Sequence, residues 1–122
     1  MKNALAVMLG KKFRVLATPA SYNTPLGISR AVEGGLDGVQ IFIAEMGARK
    51  VGDVAELCSM TCPTVGVVTA VGKQHLQSFG SVENVQKAKG ELPASLPQNG
   101  FAVFGEDQGC RALYEACAVK KA

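Results

Sequence analysis

Tryptophan is absent from this chain, and aromatic residues make up only 6% of its 122 positions. Platforms that stack nucleic-acid bases need aromatic faces, so that mode of binding has no support here. The 13 lysines and arginines are scattered, with short pairs at Lys11–Lys12, Arg49–Lys50 and Lys120–Lys121, and the net charge is +3. No basic stripe follows a phosphate backbone, and no nucleic-acid partner is expected. No apolar run approaches the roughly 18 residues that a membrane span needs. The patch Ala4–Leu9 is short, and Gly10-Lys11-Lys12 follows it in place of a small-residue cleavage site. It reads as a helix, not as a secretion signal. The four cysteines are Cys58, Cys62, Cys110 and Cys117. Their C-x3-C and C-x6-C spacings match no common zinc pattern, and they read as free, mostly buried thiols of a cytosolic protein. No G-x-x-x-x-G-K-S/T run occurs, and the glycines of Gly34-Gly35-Leu36-Asp37-Gly38 form no phosphate loop. Internal repeats and low-complexity tracts are also missing.

What is present is a chain of one-domain length, 48% hydrophobic, in which strand and helix patterns alternate. Residues 2–9 carry an apolar face stopped by Gly10. Arg14–Thr18 reads as a strand closed by Pro19, and residues 19–27 as a loop rich in turn formers. Pro25 begins a helix that ends at Gly34-Gly35. Val39–Glu45 and Val65–Val71 are nearly continuous apolar runs, as expected of strands covered on both faces. Helices are predicted over 52–60, 81–92 and 108–118, with a strand at Phe101–Phe104. Ser81 caps the 81–92 helix, Glu83 and Lys87 sit at i, i+4 spacing, and Pro93 and Pro97 kink or end it. The alternation predicts an α/β fold of three layers, with a mostly parallel sheet between helices on both faces.

Three residues stand out chemically. Glu45 is the only acid in residues 38–52 and ends an apolar strand just before Gly47. A parallel sheet delivers ligands at that carboxyl edge. A carboxylate there is costly to bury unless compensated, and magnesium would compensate it; a salt-bridged or solvated strand end is the alternative. His75, the only histidine, follows the strand Val65–Val71 by four residues, which puts it at the same edge or leaves it a plain loop histidine. Lys89 falls on or near the apolar face of the 81–92 helix. It either snorkels or is a lysine whose neutral amine could react with carbon dioxide to give a carbamate. Thr18, Ser21 and Asn23 line the proline-rich loop and offer polar contacts to a substrate, or simply form the turn.

At these residues the chain resembles the Mur ligases, ATP-dependent enzymes of peptidoglycan precursor synthesis. Within them it is most similar to the D-alanyl-D-alanine-adding branch. The matching runs are Thr18-Pro19-Ala20-Ser21-Tyr22-Asn23-Thr24-Pro25-Leu26-Gly27, Glu45-Met46-Gly47-Ala48, Thr69-Ala70-Val71-Gly72-Lys73-Gln74-His75-Leu76, and Phe79-Gly80-Ser81-Val82-Glu83-Asn84 on to Ala88-Lys89-Gly90-Glu91-Leu92. They fit in order and spacing across roughly residues 2–104. The resemblance implies a P-loop NTPase-like central domain that works with ATP and Mg2+ in a cytoplasmic enzyme. It implies that Glu45 binds the nucleotide-associated magnesium, that His75 is a ligand of a second magnesium, and that Lys89 is carbamylated and helps hold that second ion. Asn23 and its loop would contact the UDP-MurNAc-peptide. The implied reaction phosphorylates a peptide carboxylate to an acyl phosphate, which the amine of D-alanyl-D-alanine attacks.

The chain also departs from the family pattern. The family's phosphate loop lies just upstream of the segment matched by Met1-Lys2-Asn3. The turn Phe104-Gly105-Glu106-Asp107-Gln108 lacks the Asn that helps hold adenine. Residues 1–122 are therefore expected to be part of a central ATP-binding domain, without the phosphate loop or the N- and C-terminal domains, and inactive alone. Exposed sheet edges are expected to favour a homodimer. The alternatives are a non-catalytic interaction or scaffold module derived from such a ligase, or another ligase of the superfamily. The His75-Leu76-Gln77-Ser78-Phe79-Gly80-Ser81 run argues against a folate polyglutamylating ligase.

Overall fold

A computed structural model describes residues 1–20, 22–71 and 79–122. Five helices and five strands lie among the described residues. The chain divides into two compact units, Met1–Gly47 and Ala48–Ala122.

In the first unit, helix α1 (Lys2–Gly10) leads into strand β1 (Val15–Ala17), helix α2 (Pro25–Glu33) and strand β2 (Ile41–Ile43). β1 and β2 pair in parallel, with Val15 opposite Ile41 and Ala17 opposite Ile43. Helix α2 is the crossover that a parallel pair requires. Its start follows the sequence signals. The Thr24 hydroxyl accepts the Gly27 N–H at 3.2 Å, and Pro25 takes the first helical position, where no N–H is needed. Both strands are shorter than the apolar runs that predicted them. Residues 44–47 leave the ladder because their backbone groups find other partners, described below.

The second unit contains α3 (Asp53–Thr61), β3 (Val65–Val68), α4 (Val82–Ala94), β4 (Phe101–Phe104), α5 (Gln108–Ala116) and β5 (Lys120–Lys121). The three strands form a parallel sheet in the order β3-β4-β5. Its core joins Val68, Val71, Phe79, Val85, Ala88 and Cys110, with Leu92, Phe104 and Leu113 packed against it. Val85, Ala88 and Cys110 are fully buried, which fixes one face of α4 and one of α5 toward the sheet.

Two local features differ from the sequence reading. Pro93 does not stop α4; it sits buried in the last turn, and the helix runs to Ala94 with the Ser95 N–H returning to Glu91 O. Pro93 has no N–H to return into the last turn, and the Ser95 N–H closes the helix end instead, reaching Glu91 O and Leu92 O. The chain also adds β5 after α5, where a lysine pair gave no strand signal. Lys121 holds this strand from outside the ladder: its ammonium bonds the carbonyls of Tyr114 (2.7 Å) and Cys117 (3.1 Å) at the end of α5. A cation there also meets the negative end of the helix dipole. No helix among the described residues is long and apolar enough to cross a membrane.

Candidate functional site

At the carboxyl end of β2, Glu45 is held through its backbone. The Thr18 N–H donates to Ile43 O at 3.0 Å, and the Thr18 hydroxyl accepts the Glu45 N–H at 3.1 Å. The hydroxyl thus replaces the next ladder bond, so the chain turns out of the sheet at Ala44 and presents Glu45 beyond its edge. Thr18 is 1% exposed, so its hydroxyl faces this strand end and not solvent. The Gly47 N–H then donates to Asn23 O at 2.9 Å. A Cβ on Gly47 would stand 2.7 Å from Asn23 Nδ2, so any larger residue there requires the Asn23 side chain to shift. Thr18 and Asn23 are therefore both near Glu45, and both act on its backbone segment. Ser21 lies outside the described residues.

The Glu45 carboxylate remains accessible, and the Lys2 ammonium stands 3.0 Å from its Oε2. The residue pattern gave no sign of this partner, which comes from α1, far away in sequence. The carboxylate is thus a hard oxygen donor that already attracts a cation. That donor chemistry fits a magnesium ion bound through one carboxylate, with phosphate and water completing its shell. Among the described residues, no group of three or more His, Cys, Asp or Glu gathers to hold an ion without such help.

The second unit carries Lys89. It lies on α4, half-buried, one residue after fully buried Ala88, and its ammonium donates to the carbonyl of Ala70 just past β3. In this form it is a hydrogen-bond donor and presents no oxygen to a metal. His75 lies outside the described residues. Asp107 accepts the Val71 N–H with Oδ2 at 2.7 Å and the Cys110 N–H with Oδ1 at 2.6 Å. These two backbone bonds hold the Asp107 carboxyl below its ordinary pKa, and the charge of Lys89 adds to them. Burial pushes the neighbouring Cys110 thiol up to about 11, which keeps it neutral and unreactive. The residue pattern gave neither role of Asp107, the cap of α5 or the hold on Val71 beyond β3.

At the end of β4 a cleft of about 520 Å³ opens among Phe104, Glu106, Gln108, Arg111 and Tyr114. Phe104 and Tyr114 meet edge to face at 5.8 Å between ring centroids, giving it an aromatic wall. Gly105 makes the turn possible, because a Cβ there would fall 2.1 Å from Thr69 O. The cleft has the size of a small-ligand site and lies at the sheet edge where such sites form.

The family described as Mur ligase middle domain matches residues 1–121. A UDP-N-acetylmuramoyl-tripeptide–D-alanyl-D-alanine ligase of Mycobacterium leprae is 37% identical over 98% of this chain and 23% of its own length. The Escherichia coli ligase of the same name is 31% identical over 88% of this chain and 24% of its own. Among solved structures, MurF ligase of Thermotoga maritima in complex with ADP superposes with a TM-score of 0.88 at 30% identity, covering 98% of this chain and 28% of that one. MurF of Acinetobacter baumannii reaches 0.90 over 98% of this chain and 27% of its own, at 22% identity, a likeness of fold. The chain spans about a quarter of the length of these relatives.

Proposed function

This chain belongs to the Mur ligase middle-domain family, and we propose that it forms part of the central ATP-binding domain of a ligase that adds D-alanyl-D-alanine to a UDP-MurNAc-peptide. The observation that carries the reading is the strand-end carboxylate. Glu45 is pinned by Thr18, relieved of steric crowding by Gly47, and left open to a cation. A nucleotide-dependent ligase needs a fixed negative oxygen at this point, to hold the metal that accompanies the phosphates.

In this reading Glu45 anchors the nucleotide-associated magnesium. Bound magnesium would spread the charge of the transferring phosphoryl group. Lys89 and His75 serve the second ion, with Lys89 as the carbamate. The amine form of Lys89 is tied to Ala70 O, so taking up that role requires breaking this bond and reversing the charge. Asp107 fixes the backbone at Val71. The cleft beside Phe104 and Tyr114 receives the adenine end of the nucleotide, with Gln108 and Arg111 supplying polar contacts in place of the family's Asn. Asn23 and its loop face the UDP-sugar peptide.

The test is Glu45→Gln in the intact protein. The substitution keeps size and removes charge. ATP-dependent ligation is expected to fall at least about a hundredfold, the scale on which charged groups at a transferring phosphoryl matter. Part of the loss should return at higher magnesium. Unchanged activity at all magnesium concentrations would contradict the assignment.

A further inference from the structure

We propose that Lys2 is the resident cation of Glu45: a positioning residue that occupies the carboxylate until a nucleotide-borne metal displaces it. The inference rests on the reading of Glu45 as a metal ligand and goes beyond it, because it assigns a role to a residue 43 positions away.

Among the described residues there are two ion pairs, and they differ in kind. Arg111–Glu115 lies along a helix surface with side chains 81% and 67% exposed. Such pairs contribute little. In Lys2–Glu45 the lysine side chain is only 11% exposed, while the glutamate is 47% exposed. The lysine has given up solvent and rotamer freedom to place its charge on an open carboxylate. Lysine at a surface normally does the reverse and extends its head into water.

The geometry has a consequence for metal binding. The ammonium sits 3.0 Å from Oε2, on the oxygen that a divalent ion would also need. A bare ion approaching Glu45 meets a positive charge a few ångströms away and must expel it. An ion arriving with phosphates brings acceptors for the displaced ammonium, and charge-assisted bonds to phosphate oxygens compensate the lost pair. Lys2 thereby biases the site against free metal and toward the metal–nucleotide complex.

The experiment is a titration of the intact protein with Mn2+ alone, followed by electron paramagnetic resonance. Circular dichroism verifies the fold of each variant. Lys2→Met and Lys2→Gln are expected to bind free Mn2+ about fivefold more tightly than the unaltered protein, the scale of one released charge pair. Lys2→Arg should match the unaltered protein. Adding Glu45→Gln to Lys2→Met should erase the gain. A merely structural lysine would weaken binding when removed, so the sign of the change decides. Equal or weaker Mn2+ binding in both neutral variants overturns the role of Lys2. If Glu45→Gln still weakens binding of Mn2+ with ADP, the metal reading of Glu45 survives that result. A gain that persists in the Lys2→Met, Glu45→Gln double variant overturns both.

Discussion

Asp107 and Val71 are joined by a 2.7 Å bond from the Val71 N–H to the Asp107 carboxylate, whose second oxygen caps α5 through the Cys110 N–H. One side chain from the β4–α5 turn therefore fixes both the start of a helix and the backbone at Val71, three residues past β3. Replacing Asp107 with Ala should cost about 1–2 kcal/mol, the range for a lost helix cap that also leaves a backbone donor unpaired. Its carboxyl is held below the ordinary value of 3.8, first by the Cys110 and Val71 amides. A depressed folded-state pKa gives stability that is present above the unfolded value and lost as pH falls through the folded one. The stability gap between the unaltered protein and Asp107→Asn should shrink below pH 3.8. Urea midpoints across that range measure it, and a gap constant with pH would refute the charge-based part.

Glu91 on α4 caps a different helix. Its Oε1 accepts the Gly52 N–H at 2.5 Å and its Oε2 the Ala55 N–H at 2.9 Å. Gly52 has φ +103° and no side chain of its own with which to cap α3. A negative charge at that helix start is also favoured by the dipole. Glu91→Gln should cost about 1 kcal/mol and Glu91→Ala about 2 kcal/mol. Hydrogen exchange at the amides of Gly52 and Ala55 should accelerate in both. Unaltered exchange there would show that the cap contributes nothing.

Gly47→Ala should push the Glu45–Gly47 turn off Asn23, because the added Cβ would stand 2.7 Å from Asn23 Nδ2 and 2.9 Å from its Cγ. The expected cost is about 1–3 kcal/mol, as for other overpacked sites. Asn23→Ala removes the obstructing atoms, so the double variant should be more stable than the sum of the single effects predicts. Strict additivity in thermal unfolding would mean the two residues do not meet.

Lys89 should be an unmodified amine when no divalent ion is bound, since its ammonium is engaged by Ala70 O. With 13C-labelled bicarbonate, a carbamate resonance is expected only after magnesium and nucleotide are added. Lys89→Met should abolish that resonance and most of the activity. A carbamate present without metal would contradict this order of events.

Much of this was legible in the residues. The apolar runs around residues 41–43 and 65–68 gave the parallel strands, Pro25 gave the start of one helix, and Ser81 gave the start of another together with its cap. The position of Glu45 at a strand end followed from the same pattern. Long-range partners were not legible. Lys2 reaching Glu45, Glu91 capping α3 and Asp107 holding Val71 all join residues more than 30 positions apart, and local periodicity carries no information about such pairs. β5 was missed because its strength comes from Lys121 against the α5 carbonyls, not from an apolar alternation.

The most direct test is to supply the intact protein with ATP, magnesium, UDP-MurNAc-tripeptide and D-alanyl-D-alanine, and to follow ADP and peptide product together. The account predicts one ADP formed for each tripeptide extended by two residues, with no product when ATP or D-alanyl-D-alanine is omitted, and a deep loss in Glu45→Gln. Absence of extended product, or product formed without ATP consumption, would contradict it.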